Sequence, residues 1–128
     1  MKLKTLMIIN SIVAIVFGVL FVIVPTHVYS LYDFTADEHL VFMGRLFGGA
    51  LIGFALLTWI ARNATDSDTR SAIVYALFTA DAIGFVVALI GQIHKVVNVL
   101  GWSTVVIYLL LALCFGYFQF IKTSPPQA

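Results

Sequence analysis

Charged residues and cysteine are both scarce in this sequence. Only 10% of the residues are charged, whereas a soluble domain has about 25%. The formal net charge of +1 provides no basic patch, so nucleic acid is not an expected partner. The single cysteine, Cys114, excludes an internal disulfide and a dithiol relay. We expect it to be a small packing residue.

Apolar residues are correspondingly abundant, at 62% of the 128 residues. A soluble chain of this length cannot hide so much apolar surface, because small domains bury only about 60% of what their unfolded chains expose. Lipid must therefore solvate most of the chain. The sequence predicts an integral membrane protein with one domain over residues 1–128.

Four apolar stretches interrupt the polar sequence, and each has about the 20 residues that a helix needs to cross a hydrocarbon core of about 30 Å. They cover approximately residues 5–24, 40–60, 72–93 and 99–121. The breaks between them are Pro25 with the polar segment 29–39, the turn 62–70 and the connection 94–98. Such short connections force neighbouring helices to lie antiparallel. The predicted fold is all-α, an antiparallel four-helix transmembrane bundle.

Basic residues predict the orientation of this bundle. Those expected on one side are Lys2, Lys4, Arg62, Arg70 and Lys122, whereas only Lys95 falls in a loop on the other side. The positive-inside rule then places both termini in the cytoplasm, in a multi-pass protein of the cell membrane, expected to be a bacterial inner membrane. The first apolar run is too long for a signal peptide, so we expect a retained anchor.

Small residues recur four apart in each stretch, which allows membrane helices to approach closely. The third stretch has the most regular row, with Ala72, Ala76, Ala80, Gly84 and Ala88. The second has the pairs Gly44–Gly48 and Gly49–Gly53. These rows predict packing within the bundle. Alternatively, a row left over after folding forms a homodimer or docks a subunit of a larger membrane complex.

Two charged residues lie within the predicted spans, and such residues usually face a bundle interior or a cavity. Arg45 shares a helical face with the glycines of the second stretch. It either extends to lipid phosphate or caps carbonyl groups, or it contacts an anion or headgroup at the mouth of an outward-facing pocket. We predict that Arg45 and Asp81 both face the bundle interior.

Asp81 is the most informative residue, because it lies near the predicted midplane. Polar residues at comparable depth that are expected to hydrogen-bond it are Asn10, Ser11, Thr79 and Tyr108. In that case it clamps the helices together, and Asp81→Ala mainly destabilises the fold. The alternative is a protonatable site that couples to transport or orients a buried ligand.

Histidines and other polar residues cluster only at the predicted outer ends of the spans. They are His27, Asp37, Glu38, His39, Gln92 and His94. No pair has a metal-ligand spacing on one helix, and no histidine lies within a span to hold a haem. We therefore predict no metal and no cofactor, and Gln92 remains a candidate binding residue. The sequence has no paired intramembrane carboxylates and no nucleophile–histidine–carboxylate arrangement, so we predict no enzyme activity.

Two segments carry a resemblance to a known group of proteins. The first lies in and just after the second stretch and consists of Gly44-Arg45-Leu46-Phe47-Gly48-Gly49-Ala50 and Trp59-Ile60-Ala61-Arg62. The second lies at the start of the fourth stretch and is Asn98-Val99-Leu100-Gly101-Trp102. They resemble small four-helix bacterial membrane proteins of unknown function that are loosely DoxX-like. The resemblance implies a four-helix bundle of unassigned activity and brings no catalytic residues.

These observations predict a non-catalytic bundle that binds a lipid or quinone-like molecule or supports a partner membrane protein. Its candidate binding residues are Asn10, Arg45, Asp81, Gln92 and Tyr108. The alternative is a small proton-coupled transporter or channel that uses Asp81.

Overall fold

The computed structural model describes residues 2–121, and throughout this range the regular secondary structure is helical. The elements are α1 (Leu3–Ile23), α2 (Pro25–Leu31), α3 (Glu38–Ala61), α4 (Ser67–Ile93), α5 (Gly101–Gly116) and a π-helical turn (Tyr117–Ile121). Four helical segments are long and apolar enough to cross a membrane: α1, α3, α4, and α5 together with the π-helical turn. The prediction of four membrane-capable helices is confirmed. Lys122, used for the orientation, lies outside the described residues.

The chain divides into two compact units between Arg62 and Asn63. The first unit contains α1, α2 and α3, and the second contains α4, α5 and the π-helical turn. Within the first, α1 packs along α3, and within the second α4 packs along α5. Each unit is thus a helical hairpin with its own seam.

Side-chain caps determine where α3 and α4 begin. An Asp37 carboxylate oxygen accepts a hydrogen bond from the backbone N–H of Leu40 at 2.8 Å. Asp66 does the same for Thr69 at 2.9 Å and also accepts from the Thr69 hydroxyl. These bonds hold the pKa of Asp66 below its usual value, because they favour the charged carboxylate. Each cap satisfies an N–H that the first helical turn leaves unpaired.

Two helix boundaries differ from the sequence prediction. Helix α4 begins at Ser67, five residues before the predicted residue 72, because the Asp66 cap draws the polar residues after it into the helix. The segment after Pro25, expected to be a break, contains the short helix α2. Pro25 ends α1 but is well suited to the first position of a new helix, where its missing N–H costs nothing.

Helix α4 ends in a Schellman motif. Val96 N–H donates to Gly91 O at 2.9 Å and Lys95 N–H donates to Gln92 O at 3.1 Å. Lys95 adopts the left-handed conformation, with φ of 57°, which this motif requires and which glycine usually supplies. The motif turns the chain sharply toward α5.

Candidate functional site

Polar residues in the seam of the first unit bond to one another. Asn10 and Ser11 are buried in α1, and Thr58 of α3 is fully buried. Asn10 Nδ2 donates to Thr58 Oγ1 at 3.4 Å, and the Ser11 and Thr58 hydroxyls share a hydrogen bond of 2.7 Å. Asn10 and Ser11 were expected to bond to Asp81. The structure pairs them with Thr58 within their own unit, and an approach to Asp81 of the other unit stays a prediction.

Glycines bring α1 and α3 into backbone contact further along the same seam. A Cβ placed on Gly48 would lie 2.7 Å from Gly18 O and 2.9 Å from Phe21 Cβ. A Cβ placed on Gly49 would have no atom within 4 Å. Of these two neighbouring glycines, therefore, only Gly48 is required for the observed packing.

Arg45 lies at the edge of this seam and not inside it. Its side chain is exposed, and its Nε donates to Val22 O at 3.2 Å. Val22 is in the last turn of α1, where carbonyl groups lack helical partners. The structure therefore supports the capping alternative for Arg45, and that Arg45 faces the interior of a four-helix bundle stays a prediction.

The seam of the second unit is built differently, from aromatic rings set against glycines. The Tyr108 ring occupies the space where a Cβ on Gly84 would project. A Cβ on Gly116 would lie 2.9 Å from Phe78 Cε1. Buried apolar residues complete the seam, namely Val74, Leu77, Val105, Ala112 and Phe115. Tyr108, a candidate binding residue, thus packs directly against α4.

Asp81 is buried in this second unit, with 8% of its surface exposed. It lies four residues after Leu77 and three before Gly84, so it shares their helical face. It is 14 residues from the start and 12 from the end of α4, about 20 Å from either end at 1.5 Å per residue. Asp81 therefore lies near the middle of the helix that carries it.

One oxygen of the Asp81 carboxylate has none of the hydrogen bonds that were expected for this group. Its Oδ2 atom is buried and has no hydrogen-bond partner within residues 2–121. The Thr79 hydroxyl, one expected donor, bonds to Tyr75 O of its own helix at 2.9 Å. That Asp81→Ala mainly destabilises the fold stays a prediction.

Gln92 joins the end of α4 to the start of α5. Its Nε2 donates to Asn98 O at 3.1 Å, and its Oε1 contacts the position where a Cβ on Gly101 would lie. Gln92 Oε1 is itself buried and unpaired in the described part of the chain. Gln92 therefore has a clear structural role in the 94–100 connection, together with one unused acceptor.

Among residues 2–121, the buried side-chain polar atoms without a hydrogen-bond partner all lie in the second unit. In the described chain they are Arg70 Nε, Asp81 Oδ2 and Gln92 Oε1. A buried polar atom without a partner costs about 1–3 kcal/mol, so each is a position where a bound molecule would gain a hydrogen bond. Among them, Asp81 is the carboxyl group, and it lies near the middle of its helix. The described residues contain no group of three or more His, Cys, Asp or Glu side chains that would suit a metal ion.

Thr58 and Arg70 were not identified as site residues from the sequence. For Thr58 a signal was present, because it continues the helical face of Gly44, Gly48 and Ala55 that the structure buries. For Arg70 no local pattern distinguishes a partly buried guanidinium from an exposed one at a helix start.

Comparison with known proteins identifies a family for this chain but does not identify an activity. Neither the curated proteins nor the solved structures yield a match to this chain. A family model described as "Domain of unknown function (DUF8292)" matches residues 1–123. The match covers nearly the whole sequence, and the chain therefore belongs to this uncharacterised family.

Proposed function

We propose that this protein is a non-catalytic membrane protein that binds a lipid or quinone-like molecule at Asp81. The observation that carries the proposal is the buried Asp81 Oδ2 atom, which has no hydrogen-bond partner in the described chain. A ligand hydroxyl or amine would donate to this oxygen, while an apolar body would pack against the aromatic side chains of the seam. The same position would serve a polar side chain of a partner membrane protein.

The proposed architecture is an antiparallel four-helix bundle with both termini in the cytoplasm. Contacts within each unit support antiparallel pairing: Asn10 bonds to Thr58, whereas Val22, later in α1, bonds to Arg45, earlier in α3. An even number of spans places both termini on one side of the membrane. The excess of basic residues near the termini and the 62–70 loop favours the cytoplasmic side. A relation to DoxX-like proteins and a bacterial inner membrane location complete the proposal.

Native mass spectrometry of the protein, released from its own membranes in mild detergent, tests the binding proposal. We expect the wild type to retain one small molecule and Asp81→Leu to lose it. Asp68→Asn is the matched control, because Asp68 is an exposed acid in the first turn of the same helix. Retention by the control and loss by Asp81→Leu would support a site at Asp81. Equal retention by all three proteins, or none by any, would contradict it.

A small proton-coupled transporter is the second candidate, and the position of Asp81 favours it. A carboxyl near the middle of a membrane helix with one unpaired oxygen would be able to exchange a proton during a transport cycle. Proteoliposomes with an internal pH dye would then acidify or alkalinise faster with the wild type than with Asp81→Asn. Equal proton flux with both proteins would eliminate this candidate and leave ligand binding in place.

A further inference from the structure

An open groove of about 570 Å³ runs along the first turns of α3, in the unit that does not contain Asp81. Its lining residues are Ala36, Asp37, Glu38, Val41, Phe42, Arg45 and Leu46. Two carboxylates lie at the end where α3 begins, and one guanidinium lies further along the helix. Apolar side chains form the wall between and beyond these charges.

The charges of the groove differ in their depth in the membrane. Arg45 follows Glu38 by seven residues, which is about 10 Å along a helix. Helix α3 has 24 residues and is about 36 Å long, slightly more than a hydrocarbon core of about 30 Å. Glu38 therefore lies at the membrane surface. With α3 centred on that core, Arg45 begins about 7 Å inside the hydrocarbon, and its long side chain can extend outward toward the level of lipid phosphates.

Both kinds of charge retain unused hydrogen-bonding capacity. Arg45 uses its Nε for Val22 O, and its guanidinium carries further N–H donors on the two terminal nitrogens. One Asp37 oxygen caps α3 by accepting from Leu40 N–H, which leaves the other oxygen available. Glu38 and Arg45 are both exposed, so a headgroup can reach them without displacing protein atoms.

We infer that this groove binds a phospholipid whose headgroup carries a primary ammonium, of the phosphatidylethanolamine type. In such a lipid the phosphate lies deeper than the ammonium, which is the order of Arg45 and Glu38 in the groove. The phosphate accepts hydrogen bonds from the Arg45 guanidinium, and the ammonium donates to Asp37 and Glu38. An acyl chain packs along Phe42 and Leu46.

The two carboxylates select against other phospholipids. A phosphatidylglycerol headgroup brings a negative phosphate without a compensating cation, so Asp37 and Glu38 repel it. A phosphatidylcholine headgroup has a cation but no N–H to donate to them. This site does not depend on a ligand at Asp81, and either site can fail without the other.

A lipid titration of the intact, delipidated protein tests the inference, with native mass spectrometry as the readout. The probes are phosphatidylethanolamine, phosphatidylcholine and phosphatidylglycerol with identical acyl chains. We expect the wild type to prefer phosphatidylethanolamine by about tenfold, the size of one charge-assisted hydrogen bond. Glu38→Gln should reduce this preference, and Arg45→Gln should weaken the binding of all three lipids.

Matched controls remove the same charges elsewhere. Arg62→Gln changes the other end of α3, and Asp68→Asn changes a first-turn acid of α4. Both should keep the wild-type preference, as should Asp81→Leu, which separates this site from the proposed function. Equal binding of the three lipids, or an unchanged preference in Glu38→Gln, would overturn the inference. Arg45→Gln loses its bond to Val22 O and could fail to fold. In that case Glu38→Gln alone tests the inference, because Glu38 is exposed and its replacement leaves the packing unchanged.

Discussion

The two helical hairpins of this protein differ in how their helices pack together. In the first, buried polar groups bond to one another, as Asn10 and Ser11 do with Thr58. In the second, rings pack on glycines, and buried polar atoms such as Asp81 Oδ2 remain unpaired. Because unpaired buried polar atoms are costly, their presence in the second hairpin is the contrast on which its proposed binding role rests.

Tryptophan fluorescence allows each hairpin to be followed separately. The sequence has two tryptophans, Trp59 in the first unit and Trp102 in the second. A Trp102→Phe background reports on the first hairpin and a Trp59→Phe background on the second. Unfolding by a denaturing detergent in mixed micelles then gives a free energy for each.

Replacing a glycine in the first seam should have the largest effect. Gly48→Ala places a Cβ 2.7 Å from Gly18 O, and backbone atoms cannot move away without separating α1 from α3. We expect a loss of about 2–3 kcal/mol, as for an overpacked core, measured through Trp59. Gly49→Ala is the neighbouring control and should be neutral or stabilise by up to about 1 kcal/mol. Equal losses for both variants would show that Gly49 also lies in a close interface.

Removing the shared hydroxyl of the first seam should have a smaller effect. Thr58→Val leaves Asn10 and Ser11 without their interhelical partner, and we expect a loss of about 1 kcal/mol, typical of hydrogen bonds between membrane helices. Thr79→Val is the control, because the Thr79 hydroxyl bonds only to Tyr75 O within α4. If Thr58→Val were as harmless as the control, the polar seam would not stabilise the first hairpin.

The pH dependence of the first hairpin should come from Tyr29, which lies in α2 outside the membrane-spanning helices. Burial raises the pKa of Tyr29 above its usual value, and its hydroxyl donates to Leu40 O at 3.0 Å. A raised pKa means that the folded state holds the proton more tightly. Its contribution to stability is therefore complete below about pH 10 and is lost as pH rises through the folded-state pKa.

Tyr29→Phe isolates that contribution. The variant should lose the hydrogen bond, at about 0.5–1.5 kcal/mol, and should show a flatter decline of stability with pH in the alkaline range. Unfolding followed through Trp59 between about pH 8 and 11 measures both effects. An alkaline slope identical to that of the wild type would assign the pH dependence to another group.

The sequence predicted the membrane helices well, because long apolar runs and Pro25 are strong signals. The predicted start of α4 was too late in the sequence, although Asp66 followed by Thr69 is a pattern typical of a helix N-cap. The hydrogen-bond partners were harder to predict. Depth along the membrane grouped Asn10 with Asp81, whereas the bond seen in the structure joins Asn10 to Thr58 of α3 within the first unit. The exposure of Arg45 likewise depends on its bond to Val22 O, which no local pattern encodes.

The unfolding free energy of the second hairpin in Asp81→Leu, measured through Trp102 in the delipidated protein, tests the central claim most directly. A carboxyl that serves binding and not folding should be dispensable for stability. We predict that Asp81→Leu is as stable as the wild type or more stable by about 1 kcal/mol, since an unpaired buried oxygen is removed. A loss of about 0.6–2 kcal/mol, the worth of a polar clamp in a membrane protein, or a larger loss would contradict this. Asp81 would then be a structural residue, and the contrast between the two hairpins would fail.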